Sequence, residues 1–395
     1  MSKLLAGVGI SIVDETPAAV ADAVGAARDA LSGRAPGLAI VTATVDHDAA
    51  EVHAALRSQL PSTPIHGVTT SLGVLGANGV SMGRRGALGV LLLAGEGLHF
   101  AVGSAPVGAD AVAAGRAAAK ALGERRPSVV LFNPSPGAEE DLLRGVAEVL
   151  PGVPVFGGSA ADHAIAGDWK VFTNEGVLGT GVSLAAVAGD VAVGAHFLAP
   201  YRATGREAVV TRAHGRTIAE IDGAPAVQKL HEWIGGSIDD QVAQGGNVLA
   251  QTALRPIAIR HAAERSGDFY LTVHPAHVHA RVGAVDVFAR MAPGTRICAM
   301  EGTPEDLVGS IDTLIDRARA DGGLEAVRAG VLIYCAGCAG SVGARLDGAL
   351  REAWGRAMAG VPLLGMCTFG EQGTVPGVGP VHANLSMGLV LLGER

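Results

Sequence analysis

Nowhere in the 395 residues is there a block of lysine and arginine: 30 basic residues are scattered among 38 acidic ones, for a formal net charge of -8. A dispersed basic minority gives no electrostatic footprint for nucleic acid or an anionic membrane surface, so neither partner is expected. Cysteine is equally sparse, at four. With no secretion signal in view, four thiols fit a reducing compartment better than a disulfide framework, and the expected location is the cytoplasm. Residues 4 to 13, LLAGVGISIV, are preceded by one lysine, followed by Asp14 and Glu15, and show no small-residue cleavage pattern; they read as a strand. The longest apolar stretch, VSLAAVAGDVAVGAHFLA, contains Asp190 and His196 and is rich in Ala and Gly, which predicts strand and turn rather than a membrane span.

Catalytic signatures are also missing. No GxxxxGK[ST] loop and no HExxH occur, and GGSAA at 157 to 161 lacks the last glycine of a nucleophile elbow. Cys367 stands beside Thr368 and ahead of Glu371, but the sequence supplies no base geometry for it. The chain therefore reads as a binding protein, with a thiol- or serine-dependent enzyme as the weaker alternative.

What is present is a large apolar fraction, 49%, a mean hydropathy of +0.35 and 57 glycines spread along the chain. That composition predicts sizeable cores and many tight turns. Strands are expected at 3 to 12, 255 to 261, 268 to 282, 286 to 291 and 296 to 301. Helices are expected from Thr16 as N-cap with Pro17 first, near 47 to 59, 138 to 149 and 341 to 358, and from Thr303 as N-cap with Pro304 first. A boundary near 200 to 210 divides the chain into modules at 1 to 205 and 206 to 395. The fold class is α/β, two modules of mixed sheets flanked by helices and built of repeated strand-helix-strand units.

One phrase recurs: TPIHGVTTSLG at 63 to 73, VPVFGGSAADH at 153 to 163 and VPLLGMCTFGE at 361 to 371. Each copy places a proline, two residues, then Gly67, Gly157 or Gly365, and two residues later a small hydroxyl or thiol at Thr69, Ser159 or Cys367. Each follows an apolar strand and a helix, and the separations of Val41 from Gly67, Phe132 from Gly157 and Tyr334 from Gly365 suit βαβ crossovers. Small polar side chains at the ends of such strands either line a ligand pocket or cap local backbone.

These segments resemble the FIST domain family. GVGISIVDETPAAVADAVGAARDAL, HGVTTSLGV and the stretch from PVFGGSAADH to GVSLAAV look like its N-terminal module. VVTRAHGRTIAEIDGAPAVQKL, VLIYCAGCAG, PLLGMCTFGEQG and HANLSMG look like its C-terminal module. The resemblance implies a small-ligand-binding sensory protein of bacterial signal transduction, with amino acids among the ligands proposed for the family. Some members resemble haem-binding nitric-oxide sensors that control a histidine kinase. No kinase, receiver, cyclase or helix-turn-helix segment is recognisable here, so output would pass to a partner, such as a histidine kinase or another signalling protein. Two positions depart from the family: Val74 replaces a frequent acidic residue, kept as Glu371 in the later copy, and Cys338 replaces a frequent arginine.

The candidate ligand-binding residues are Gly67, Thr69, Thr70, Gly157, Gly158, Ser159, Asp162, Cys335, Thr368, Glu371 and Asn384. Cys335 and Cys338 form a CxxC, open to packing, redox exchange or a ligand contact; no second CxxC or HxxxH completes a zinc site. His274, His277 and His279 lie within six residues and His231 adjoins Trp233, so a haem or metal ligand among these four competes with ordinary surface histidines.

Overall fold

The computed structural model describes residues 4–261 and 269–394; the strand starts expected at residues 3 and 268 lie outside them. Three units share one element order: strand, helix, strand, helical connection, strand, hairpin, strand. In unit one the strand Leu38–Thr44 runs parallel to Ile65–Thr70, in unit two Val129–Pro134 to Val155–Gly158, and in unit three Ala326–Cys335 to Leu363–Thr368. A returning antiparallel strand closes each: Leu88–Ala94, Gly181–Gly189 and Met387–Glu394. Helices cover one face of each sheet and form separate apolar layers with it, while Val68, Phe156 and Met366 contribute the other faces to a common inner core. Burial on both faces explains the continuous apolar runs that the sequence shows.

The hairpins do not stay with their own units. Val74–Gly76 of unit one pairs with Leu363–Thr368 of unit three. Glu371–Val375 of unit three pairs with Val155–Gly158 of unit two. Val171–Phe172 of unit two pairs with Ile65–Thr70 of unit one. Each of three six-stranded sheets is thus completed by a borrowed hairpin, and the exchange runs once around the ring.

Between the first strand of unit three, Ala192–Leu198, and its first helix, Pro304–Gly322, lies an inserted module whose nine-stranded sheet has its own core. Its first strand begins at Arg202 and its last ends at Glu301. Thr303 then caps the returning helix in a reciprocal capping box with Asp306, and Pro304 opens it, as expected.

Two local expectations are corrected. Thr16 is the first helical residue, and its hydroxyl faces His47 instead of capping; Glu15 holds the cap position without a side-chain bond. The helix expected at 341 to 358 is two helices, Ala336–Val342 and Arg345–Ala357, broken at Gly343, whose φ of 56° lies in the left-handed region. Val41 pairs with Gly67, Phe132 with Gly157 and Leu332 with Gly365. The first two glycines are required by close approach: a Cβ at Gly67 would lie 1.8 Å from the Val41 carbonyl oxygen, and one at Gly157 1.7 Å from that of Phe132.

Candidate functional site

The three recurrent strand ends meet. The N–H of Ser71 donates to the carbonyl of Cys367, that of Ala161 to Thr69, and that of Phe369 to Ser159, at 3.1, 2.9 and 3.2 Å. Donors and acceptors occupy equivalent positions in the three phrases, so each tip is tied to the next. The hydroxyls mostly serve this junction. Thr70 Oγ1 receives the Cys367 N–H at 2.8 Å, and Thr69 Oγ1 receives that of Lys170 at 2.8 Å. Gln372 Nε2 donates to Ser159 Oγ, which donates to Glu139 Oε1 at 3.0 Å.

Beside the junction opens a cavity of about 650 Å³, between the tips and the inserted module. This is within the usual range for small-molecule sites. From the ring come Ser71, Leu72, Trp169, Cys335, Thr368, Phe369 and Asn384; from the insert come Arg216, Leu249, His274 and Phe288. Its wall is largely apolar and aromatic. Trp169 meets Phe369 edge to face with centroids 6.1 Å apart, and His274 meets Phe288 similarly at 6.0 Å.

At one side Glu139, almost fully buried at the start of the helix Glu139–Val149, accepts from the Gly137 N–H and from Arg216 at 2.6 Å. Arg216 bonds Glu140 as well, at 2.7 Å. Burial alone would raise the Glu140 carboxyl, but His382, Arg216 and the Arg290 amide outweigh it and hold it at about 2. Behind the opposite wall, the buried Glu371 accepts from the Thr368 hydroxyl at 2.8 Å and the Ser386 N–H at 3.1 Å. Burial, reinforced by neighbouring Cys335, pushes its carboxyl well above the ordinary range. Cys335 caps the helix Ala336–Val342, yet burial and Cys338 push its thiol up, and burial does the same at Cys367. These thiols are therefore protonated, not thiolates.

Of the candidate residues named from sequence, Cys335, Thr368, Asn384 and His274 line the cavity. Gly67, Thr69, Thr70, Gly157, Gly158, Ser159 and Glu371 lie behind it in the junction. Asp162 serves the backbone instead, its carboxylate collecting the N–H groups of Ala164, Ala166, Gly167 and Asp168 and so fixing the loop that leads into Trp169. The other three histidines are elsewhere. His231 pairs with Asp239, His279 with Asp286, and His277 is exposed with its ring 4.9 Å from that of His279. Among the described residues no group of three or more His, Cys, Asp or Glu side chains is placed to hold a metal ion. Sequence reasoning missed Glu139, Arg216, Trp169, Phe288 and Phe369; the acidic turn at 139 to 141 was the sole local signal, and it reads equally as helix-dipole compensation.

Residues 37–224 match the FIST N domain and residues 226–374 the FIST C domain. The chain belongs to the FIST family. FIST domains are modules of small-ligand sensing in signal transduction. Two similar chains are an uncharacterized protein of Mycobacterium bovis and one of Mycobacterium tuberculosis, each 27% identical over 390 residues, covering 95% of this chain and 96% of theirs. Among solved structures, a cyanuric acid hydrolase from A. caulinodans aligns over the whole of both chains at 8% identity with a TM-score of 0.37, a level that supports no inference about fold or activity. Among the described residues of this FIST protein no helix is long and apolar enough to cross a membrane.

Proposed function

We propose that this FIST protein is a sensor whose small ligand occupies the cavity between the strand tips and the inserted module, and that a partner protein reads the result. The observation carrying this reading is that both bodies wall one cavity of about 650 Å³. A ligand held there touches both, and so changes how firmly they pack against each other. Ion pairs join them at one helix start, where Arg216 and Arg290 of the insert meet Glu139, Glu140 and Asp141 of the ring, and hydrogen bonds join Thr272 and His274 of the insert to Asn384 and Ser386 of the ring. The partner is of the signalling class, a histidine kinase being the form that the family resemblance suggests.

Haem does not suit the groups on the wall. Nε2 of His274 is engaged with the Leu249 carbonyl at 3.0 Å, and Nε2 of His163 with Asp46 at 2.8 Å. Arg216 is already shared by two carboxylates, so among the described residues of the wall no free cation remains to receive haem carboxylates. Ligation would have to break these contacts or use the Nδ1 atoms of these rings.

The test is a metabolite screen by thermal unfolding. A ligand at a hundred times its Kd stabilises by about 2.7 kcal/mol. Gly340 lines the cavity with nothing within 4 Å of a Cβ position. Gly340→Trp therefore places a bulky side chain on the cavity wall, and it is expected to abolish the shift. A stabilising ligand whose effect survives Gly340→Trp would place binding elsewhere.

A further inference from the structure

Resting on this cavity as the ligand site, the unmet hydrogen-bonding groups of its buried wall specify the ligand's chemistry. Asn384 is 2% exposed and lines the cavity. Its Oδ1 receives the His274 N–H at 3.3 Å, which fixes the amide orientation, and its Nδ2 has no acceptor among the described residues. A buried amide donor without a partner is costly, and a ligand acceptor relieves that cost. His274, also buried, adds the complement. With Nε2 donating to the Leu249 carbonyl, Nδ1 is left as an acceptor that makes no protein hydrogen bond among the described residues. One adjoining pair of side chains thus offers a donor and an acceptor together.

Charge narrows the class further. Arg216 is matched by Glu139 and Glu140, His163 by Asp46, Glu371 lies behind the wall bonded to Thr368 and Ser386, and burial keeps His274 neutral, with its pKa at about 4. Among the described residues of the wall, no unshared cation awaits a carboxylate and no unshared carboxylate awaits an ammonium group. Trp169, Phe288 and Phe369 supply aromatic surface for a flat body.

We infer that the cavity takes an uncharged aromatic or heteroaromatic molecule bearing a carboxamide-type group, its carbonyl facing Asn384 Nδ2 and its N–H facing His274 Nδ1. Neither free amino acids nor aromatic carboxylates belong to this class.

The experiment uses the full chain and the neutral fluorophore N-phenyl-1-naphthylamine as a cavity reporter. 2-Naphthamide, 2-naphthoate and 2-naphthylmethylammonium compete for it at pH 7. The amide is expected to displace the reporter at a concentration at least tenfold below either charged analogue. Asn384→Asp keeps an acceptor for the His274 N–H while removing the free donor, and Asn384→Leu removes both; each is expected to erase the amide's advantage while the reporter still binds. Equal or better displacement by a charged analogue overturns the inferred class, as does an advantage that survives both substitutions. Failure of the reporter to bind wild type, or equal binding to Gly340→Trp, overturns the cavity itself and this inference with it.

Discussion

Replacing Glu371 by glutamine isolates one proton from everything else that titrates in the protein. The carboxyl is fully buried beside Cys335 and bonded by Thr368 and Ser386, and it holds its proton to higher pH in the fold than in the unfolded chain, where it ionises near 4.5. Between 4.5 and its raised folded value the native state carries one more proton than the unfolded state, so stability falls as pH rises, by about 1.4 kcal/mol per pH unit. The buried histidines act with opposite sign. His66 and His274, with folded pKa values of about 3 and 4, are neutral in the fold and take up a proton on unfolding below about 6.5, so their contribution makes stability rise with pH up to that value. They are common to both proteins and cancel in the difference. At pH values between 4.5 and the raised folded value, the stability of wild type minus that of Glu371→Gln is therefore expected to fall as pH rises, by up to about 1.4 kcal/mol per pH unit. Glutamine can turn its oxygen toward the Ser386 N–H while the Thr368 hydroxyl rotates to accept, leaving a constant offset that does not alter the slope. Urea unfolding of both proteins across this range, read at the first transition, measures it. Curves parallel to within about 0.5 kcal/mol would show that Glu371 gives up its proton as readily in the fold as in the unfolded chain and would refute the raised carboxyl behind the cavity.

Two further expectations concern the ring and its tie to the insert. Gly157→Ala and Gly67→Ala would drive a methyl group into the carbonyl of the paired strand, and each is expected to cost at least about 4 kcal/mol or prevent folding. Gly365→Ala meets the Leu75 side chain first, at 2.8 Å, and is expected to cost about 1–3 kcal/mol; soluble yield and unfolding midpoints order the three, and a Gly157→Ala protein as stable as wild type would contradict the register. Arg216→Ala leaves Glu139 buried without its cation and is expected to cost about 2–4 kcal/mol. Adding Glu139→Gln should recover part of that loss in a double-mutant cycle, and additive effects would mean that the pair is not coupled.

The recurrence of Pro-x-x-Gly was legible because the same backbone problem, a strand pressed against its parallel neighbour, was solved three times with the same residue. The spacing pointed to parallel strand-helix-strand crossovers, and the strands of all three units do run parallel; the residue-by-residue register, Val41 with Gly67, Phe132 with Gly157 and Leu332 with Gly365, is set by packing that no count reveals. The hairpin exchange was hidden for a related reason: Val74–Gly76 is three residues long and its partner strand begins at Leu363, so local pattern carries no record of the pairing. The hydroxyls at Thr69, Thr70 and Ser159 looked like ligand groups because strand ends often bear them, but here backbone and buried carboxylate groups consume their bonds. Asn384 was recognisable only as a polar residue beside a core strand; its unmet donor became visible when His274 was placed on its oxygen. Arg216 sits in an ordinary Gly-containing turn, and its importance depends wholly on a helix start 77 residues earlier.

Because every sheet is completed by a neighbour's hairpin, none of the three units is a whole object by itself. Unit two lies entirely within the first half of the chain, yet its sheet has a bare edge until residues 371–383 arrive from the other half. The molecule therefore assembles as interlocked links, and a cut or deletion near residue 371 would expose an aggregation-prone edge more than 200 residues away in sequence, at Val155–Gly158.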